Sequence, residues 1–509
     1  MHSTALKRAF FRARCVMAPR VELYTAYELS PIQQKIREAN QSGEYGPVPK
    51  KCVVTGGLGF VGQRLVETLV ERGAQQVVSF DIVPPPANVW KHEAIKYVTG
   101  DLCSLAAVEE AVQGADCVWH NAAAVGPFLP KHFYHNVNVL GTRNVLEACK
   151  KQGVRKVVFS STPSSRFTCT DDVDGQTEAE MPDIPQETYV AEYSATKAEG
   201  ELLLRQACKA GEIMFIAVAP HTVYGPRDNL FLPNLLEAAG VGKLRIFGTG
   251  KSRVGYTHVD NYCHGLIIAE KQIYENSPYL GKFYVCTDGA THPYPEGYSI
   301  FWEELDQAVV GMGFDSLYSK MALPYFLLRI VAFICDAISA MTGKKLKLGW
   351  FTLRMLTMNR WFRITAAQTD LGYRPVVSYR EGWPDTIEWF RRRAEGLVRC
   401  LEKDSCWFQR LALYPMCKPG GNSCEVLRAV VRLLFDRFLC SGAKYSPSQV
   451  MVDRWISRLL PAQGGTLTDA SVAKSRWCLG MGVIDRLVTK CYKRPTVSAS
   501  FTPRALLSS

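Results

Sequence analysis

Thr55-Gly56-Gly57-Leu58-Gly59-Phe60-Val61-Gly62 is the stretch on which the fold turns. It follows the apolar run Cys52-Val53-Val54 and leads directly into Gln63-Arg64-Leu65-Val66-Glu67, a pattern of strand, tight turn and helix start. Glycines at 56, 59 and 62 permit the turn, let the backbone approach a pyrophosphate closely, and let the helix pack on the strand. Phosphates then face the free N–H groups of the first helical turn, where Phe60 and Val61 stand. A glycine triplet alone is a weak signal, so the surrounding sequence has to agree with it.

Working outward, four more short apolar runs appear: Val77-Val78-Ser79-Phe80, Cys117-Val118-Trp119, Lys156-Val157-Val158-Phe159 and Met214-Phe215-Ile216-Ala217-Val218. Strands apolar throughout, separated by about 20 to 40 residues of helix-like sequence, predict an α/β fold with a doubly wound parallel sheet. Asp81 ends the second run, where a carboxylate accepts bonds from both ribose hydroxyls of a dinucleotide and repels a 2′-phosphate. The expected cofactor is therefore NAD, with NADP the weaker alternative. Gly100-Asp101-Leu102 follows a third strand and could hold the adenine, while His120-Asn121-Ala122-Ala123 ends a fourth with small residues where the cofactor crosses. After Pro220, itself assigned to the cofactor wall, the pattern is less regular and richer in aromatics, which predicts a smaller substrate-covering part.

The chain has 509 residues and a formal charge of +12, a balance that by itself suggests a nucleic acid or a membrane surface as partner. Its distribution decides against nucleic acid. Residues 51–390 hold 32 basic and 36 acidic side chains, whereas residues 1–50 hold 8 against 4 and residues 391–509 hold 20 against 8. With 47% apolar and 21% charged residues, wholesale disorder is excluded. The 17 cysteines are too sparse for a disulfide framework and fit a reducing compartment. Seven of them follow residue 390, yet no CxxC pair occurs there and the last histidine is His292, so no metal site is expected.

Residues 321–340, MALPYFLLRIVAFICDAISA, are apolar and long enough for a helix that crosses a bilayer. Arg329 and Asp336 interrupt the stretch seven residues apart, on one helical face. Lys344, Lys345 and Lys347 follow at once, with Trp350, Phe351 and Trp361 beyond, which suits a helix lying at an anionic interface. A true span, and an amphipathic helix capping the substrate pocket, are the competing readings. The resulting division is a basic N-terminal extension (1–48), a Rossmann domain with interleaved substrate-binding part (49–320), the apolar segment with the end of the catalytic core (321–392), and a basic C-terminal extension (393–509). Lys7, Arg8, Arg12, Arg14 and Arg20, with no acid before Glu22, admit a mitochondrial or other transit peptide, a membrane-lying arm, or a plain extension. Leu427 to Leu439, LRAVVRLLFDRFL, reads as a short basic amphipathic helix.

Tyr193 and Lys197 stand four apart, on one helical face. Chance alone supplies about one YxxxK pair in a chain of this composition, and Tyr414 with Lys418 is a second. Pro415 falls inside that second pair and no nucleotide motif accompanies it. Tyr193 is instead preceded by Ser160-Ser161-Thr162 after a strand, and by Asn138 ahead of Gly141-Thr142. Hydride transfer from an alcohol needs a base for the hydroxyl proton, and a free phenol with a pKa near 10 is a poor one. An ammonium one helical turn away and a cationic nicotinamide both favour the phenolate. Thr162 can bond the reacting oxygen, and Lys197 can also hold the nicotinamide ribose.

Taken together, TGGLGFVG, Asp81, GDL, HNAA, NVNVLGT, FSST, Tyr193-x3-Lys197 and PHTVYGPRDNLFLP resemble the extended short-chain dehydrogenase/reductases. GTGKSRVGYTHVDNYCHGLIIAE, GKFYVCTDG and the late apolar segment narrow the resemblance to the 3β-hydroxysteroid dehydrogenase branch, over residues 49–392. The resemblance implies a Rossmann fold, NAD(P), and a catalytic tetrad of Asn138, Thr162, Tyr193 and Lys197. Three features depart from it: Thr162 stands for a commoner serine, Pro163 follows it directly, and Ala219 occupies a position where the wider family often has arginine.

The resemblance further implies oxidation of a sterol or steroid 3β-hydroxyl, on a 4α-carboxysterol with loss of CO2. The expected partners are that substrate, a membrane surface such as the endoplasmic reticulum, and a second copy of the chain. Three rival readings stand beside it: a 3β-hydroxysteroid dehydrogenase that also isomerises a double bond, a nucleotide-sugar epimerase or dehydratase, and a non-catalytic NAD-binding membrane scaffold.

Overall fold

The computed structural model describes residues 27–394 apart from 127, 128, 169, 241, 343–345 and 347. The basic N-terminus, Lys344, Lys345 and Lys347, and the C-terminal readings on the cysteines, Tyr414–Lys418 and Leu427–Leu439 lie outside the described residues.

Strands β1 (Lys51–Thr55), β2 (Gln76–Asp81), β3 (Ile95–Thr99), β4 (Cys117–His120), β5 (Lys156–Ser160), β6 (Met214–Pro220) and β7 (Phe283–Cys286) form one sheet. Its order is β7-β6-β5-β4-β1-β2-β3, and every pairing is parallel. The apolar runs are strands because both faces of the sheet are covered: Val53, Val54, Val118, Trp119, Val157, Phe159 and Ile216 are buried in one core. Strand order reverses between β1 and β4, so a crevice opens beyond their carboxyl ends, the usual ligand position in such sheets. A second core, rich in Tyr224, Tyr256, Trp302, Tyr379 and Trp383, lies after β6. A small four-stranded sheet that includes Val173–Gln176 and Arg360–Phe362 accompanies it, in line with the expected smaller part.

Five helices position the site: α1 (Pro31–Gln41), α2 (Phe60–Glu71), α3 (Gly141–Gln152), α4 (Glu192–Lys209) and α5 (Val259–Lys271). Helix α1 belongs to the stretch read as an extension, yet it is folded onto the sheet domain. Ser30 and Gln33 form a reciprocal capping box and Pro31 occupies the first turn, so the helix start is specified locally. Its inner face meets a buried polar cluster. Gln33 Nε2 donates to Asp260 at 3.1 Å, and Asn40 Nδ2 donates to Glu71 at 2.7 Å. Arg64 of α2 donates to Asp260 at 2.6 Å and to Glu71 at 2.8 Å, and Arg227 clamps Glu67 at 2.6 and 2.8 Å. Burying these charges is tolerable only because each is paired and bonded.

Two later helices complete the relevant architecture: α6 (Tyr325–Thr342) and α7 (Trp350–Thr357). Helix α6 starts after Pro324, four residues inside the apolar stretch, and runs two residues past its end. Only Leu328 and Ala332 of α6 are buried, against Leu353 of α7 with Phe247, Leu323 and Tyr325 at the edge.

Candidate active site

The glycine turn is built to a tolerance that only glycine meets. Gly56 adopts φ +68°, and a Cβ there would lie 2.8 Å from the Ala122 Cα across the crevice. A Cβ on Gly62 would lie 1.9 Å from the Gly56 carbonyl oxygen, so the first turn of α2 rests directly on the loop. Gly59 is the N-cap of α2 and has no side chain to satisfy the N–H groups of Phe60, Val61 and Gly62, which leaves them for a ligand oxygen. This close-fitting, donor-rich cradle fits a dinucleotide pyrophosphate.

Asp81 reaches across from the end of β2. Its Oδ2 accepts from the Leu58 N–H at 2.9 Å and its Oδ1 from the Val83 N–H at 3.2 Å, so the carboxylate is fixed beside the turn. Asp101 is exposed and accepts from the Cys103 N–H, whereas the Leu102 side chain is buried against the α3 start and its carbonyl accepts from Asn144. Ala122 and Ala123 follow β4 half-buried, and Pro220 ends β6 in the same state.

Behind Ala122 runs a chain of hydrogen bonds with a single sense. The Ala122 N–H donates to Thr55 Oγ1 at 3.1 Å, and Thr55 Oγ1 lies 2.8 Å from His120 Nδ1. His120 Nε2 lies 2.9 Å from Thr142 Oγ1, which donates to the Asn138 carbonyl at 2.6 Å. Because the Thr142 proton is spent on that carbonyl, His120 must donate from Nε2 and accept at Nδ1. Burial, with the Lys197 charge adding to it, holds the imidazole down at about 3, so the ring is neutral. His120 stood in the sequence only as part of a loop motif; its two threonine partners are 65 and 22 residues away, beyond any local pattern.

Asn138 sits in a π-helical turn, His135–Leu140, just ahead of α3. Its Oδ1 accepts from the Ala124 N–H at 2.8 Å, and its Nδ2 donates to Thr196 Oγ1 at 3.0 Å, between Tyr193 and Lys197 on α4. The Asn138 backbone is also close under α4, since a Cβ on Gly200 would lie 2.6 Å from its carbonyl oxygen. Asn138 is thus tied to both the Ala122–Ala124 loop and the helix carrying the tyrosine and lysine.

Thr162 caps a 3₁₀ turn, Pro163–Arg166, accepting from the Ser164 N–H at 3.3 Å. Pro163 falls at the first position of that turn, where a missing N–H costs nothing, so the departure at 163 serves the loop instead of displacing it. Ser194 donates to Ser164 Oγ at 2.9 Å, and Ser164 Oγ lies 2.9 Å from Thr162 Oγ1. In that succession Thr162 accepts from Ser164, and its own hydroxyl is hydrogen-bonded to the Tyr193 phenol.

Burial pushes the Tyr193 phenol up to about 12; the Thr162 side chain pulls it back, and Tyr134 adds a smaller rise. Burial likewise holds Lys197 down at about 7, against the pull of the Glu201 carboxylate. The expectation that the lysine lowers the tyrosine is not met in this state, because desolvation outweighs every other influence and drives both groups toward their neutral forms. Lys197 Nζ lies 4.0 Å over the Phe159 ring, and Glu201 is fully buried, accepting from Ser161 at 2.7 Å and Arg166 at 2.5 Å.

Beside Tyr193 opens a cleft of about 540 Å³, between Tyr134, residues 187–192 at the start of α4, and Asp336, Ser339 and Phe351 of the α6–α7 pair. Among the described residues, Glu187, Glu192 and Asp336 are the charged ones that line it, and Lys131 pairs with Glu192. Glu192 and Ala195, which flank Tyr193 on its helix, line the cleft, and a phenol bonded to a hydroxyl donor can handle the proton of an alcohol.

Residues 53–311 match the model of the 3-beta hydroxysteroid dehydrogenase/isomerase family. The chain is 32% identical over 357 residues to 3beta-hydroxysteroid-dehydrogenase/decarboxylase isoform 1 of Arabidopsis thaliana, covering 67% of this chain and 79% of that one. It is 30% identical over 353 residues to the human sterol-4-alpha-carboxylate 3-dehydrogenase, decarboxylating, covering 67% and 88%. Among solved structures, an epimerase from Methanothermobacter thermautotrophicus superposes with a TM-score of 0.52 at 22% identity, over 71% of this chain and 97% of that one. That likeness concerns the fold.

Proposed function

The chain belongs to the 3-beta hydroxysteroid dehydrogenase/isomerase family, and from that premise we propose that it oxidises the 3β-hydroxyl of a 4α-carboxysterol with NAD. The observation that supports the reading is that the loop Ala122–Ala124, which faces the Gly56–Gly62 turn, is tied through Asn138 to the helix that carries Tyr193 and Lys197, while Thr162 bonds Tyr193. Bound in the cradle, the dinucleotide supplies the hydride acceptor. Gly56 and Gly59 shape the turn, and Phe60, Val61 and Gly62 would hold its pyrophosphate through backbone N–H groups. Asp81 takes the adenosine ribose and its charge disfavours a 2′-phosphate, which selects NAD over NADP.

Thr162, hydrogen-bonded to Tyr193, would turn its proton to the substrate oxygen, and Tyr193 would receive the hydroxyl proton as the carbon gives up hydride. A phenol held up at about 12 is a poor base, so the reaction requires positive charge that stabilises the phenolate. Lys197, held down to about 7 by burial, would supply part of it when protonated. Asn138 keeps α4 in register with the cofactor wall. The product is a β-keto acid: its C–C bond to the carboxylate breaks, the electron pair enters the ketone as an enolate, CO2 leaves, and a proton returns to carbon. That step asks for no separate decarboxylating residue. The apolar α6 makes an intracellular membrane, such as the endoplasmic reticulum, the site of action.

Purified protein given NAD and a 4-carboxysterol should yield NADH and the decarboxylated ketone in equal amounts. Absence of turnover across a panel of carboxylated and neutral sterols would overturn the proposal. One observation favours a second reading, oxidation of a neutral 3β-hydroxysteroid with double-bond shift: the charged lining residues of the cleft, Glu187, Glu192 and Asp336, are acidic. A shifted double bond in the product from a neutral Δ5 steroid would select it.

A further inference from the structure

The two ends of α6 are fastened to the same folded body. Before its first turn, the Leu323 N–H donates to the Ile246 carbonyl at 2.8 Å, and the Gly248 N–H donates to the Leu323 carbonyl at 2.9 Å. Near its last turn, Ser339 Oγ accepts from the Leu346 N–H at 3.0 Å, and Asp336 Oδ2 accepts from the Trp350 N–H at 2.9 Å. Helix α7, which starts there, is held in turn by Arg354 to the Thr170 carbonyl at 3.2 Å and to Asp172 at 3.3 Å. Eighteen helical residues measure about 27 Å, close to the thickness of a hydrocarbon core. A spanning helix would set its ends on opposite sides of that core, where they could not both bond the backbone of one water-side body.

The side of α6 turned away from the body is apolar along its whole length. Phe326 is 64% exposed, Phe333 75% and Met341 84%, and Ile330 and Ile334 lie between them. At about 100° per residue these fall opposite the buried Leu328–Ala332 stripe. Arg329 and Asp336 fall on one border between the two faces, where a helix lying flat keeps them out of hydrocarbon. In sequence, Lys344, Lys345 and Lys347 follow directly, a positive cluster suited to anionic headgroups, and Trp350, at the start of α7, is exposed. Asp336 and Ser339 also line the cleft beside Tyr193, so the apolar helix and the cleft share a wall.

We propose that α6 lies in the plane of one anionic lipid leaflet without crossing it, and that the cleft between α6 and the start of α4 takes its apolar substrate directly from that leaflet. The attachment stands on geometry alone; the loading rests on the sterol reading above. A substrate passing from lipid into the cleft never enters water, whose exclusion of a sterol would otherwise limit its arrival.

The test uses the full chain and vesicles of phosphatidylcholine with or without phosphatidylserine. An environment-sensitive fluorescent amino acid is placed singly at Phe326, Phe333 or Met341 and quenched with lipids brominated at two depths. Equal, shallow depths at all three sites are expected; a deep centre between shallow ends means a span and overturns the proposal. Ile330→Glu with Phe333→Glu, on the exposed face, should lower vesicle binding at least tenfold with unchanged melting temperature. The same variant should lower turnover of vesicle-borne sterol at least fivefold while leaving turnover of cyclodextrin-delivered sterol unchanged. Equal turnover by both routes overturns loading from the leaflet. Self-association that the glutamates dissolve, without vesicle binding, assigns the face to a second copy and overturns the attachment. If the wild-type chain turns over no sterol by either route, the functional reading fails while the depth measurement still decides the attachment.

Discussion

Replacing Gly62 with alanine would place a methyl carbon 1.9 Å from the Gly56 carbonyl oxygen, 2.7 Å from its carbon and 2.9 Å from the Gly57 Cα. Comfortable contact is about 3.5 Å, so loop and helix must separate by roughly 1.5 Å. No side-chain rotation relieves the clash, because all three neighbours are backbone. The displacement carries the N–H groups of the first helical turn away from the phosphates, and losing two bonds to a charged oxygen at about 1.5 kcal/mol each amounts to about 3 kcal/mol. NADH affinity should therefore fall by roughly two orders of magnitude. Overpacking adds about 1–3 kcal/mol of lost stability, visible as a lower melting temperature. Gly59→Ala is the control: its Cβ meets the Gly56 oxygen at 3.2 Å and its φ of −72° suits alanine, so affinity should change less than about threefold. Gly57→Ala should fall between, since the atom it meets first, at 2.2 Å, is the Ser79 hydroxyl, which can turn aside. Fluorescence titration with NADH ranks the three. Wild-type affinity in Gly62→Ala, or an equal loss in Gly59→Ala, would refute the account of the turn.

Lys197, held down to about 7 by burial, titrates near 10.4 in the unfolded chain, so between those values only the unfolded chain carries the proton and stability rises with pH. Lys197→Met should abolish that share of the rise in urea midpoint between pH 7 and pH 9.5; identical pH dependence in the two proteins would contradict it. His120→Leu strands the Thr55 hydroxyl and removes the donor to Thr142, and should cost about 2–4 kcal/mol in urea unfolding above pH 7; the cost should shrink as pH falls through 6.5, because only the unfolded ring takes up a proton there. A cost below about 0.5 kcal/mol, or one that grows as pH falls through 6.5, would count against the directed hydrogen-bond chain.

The central strands were legible because burial on both faces forces unbroken apolar runs: Val53-Val54, Val118-Trp119 and Val157-Phe159 admit little else. Edge strand β3 alternates half-buried and exposed residues, and was visible only through the Gly100-Asp101-Leu102 that follows it. Strand β7 has the same apolar character, yet in the sequence it served only as part of a family motif. Helix α1 carries its own start signal, since Ser30-Pro31-x-Gln33 is a capping box with proline at the first turn, but the basic charge of the N-terminus makes the whole stretch read as an extension. The spacing of Tyr193 and Lys197 was readable, but their pKa directions were not, because desolvation depends on what the whole fold packs around them. The π-turn that seats Asn138, and the Asp336 bond to the α7 backbone, likewise follow from tertiary packing.

The polar cluster beneath α1 makes the chain ahead of the first strand a latch on the dinucleotide helix. Gln33 and Asn40 reach the same carboxylates, Asp260 and Glu71, that anchor Arg64 in the middle of α2. A cut between α1 and β1 would leave every residue of the glycine turn in place and still uncover charges that tolerate burial only as a closed set. Proteolysis in that linker would then act at a distance, loosening the helix that faces the pyrophosphate without touching the crevice. The catalytic unit accordingly begins near Ser30, some 25 residues before the motif by which it is recognised.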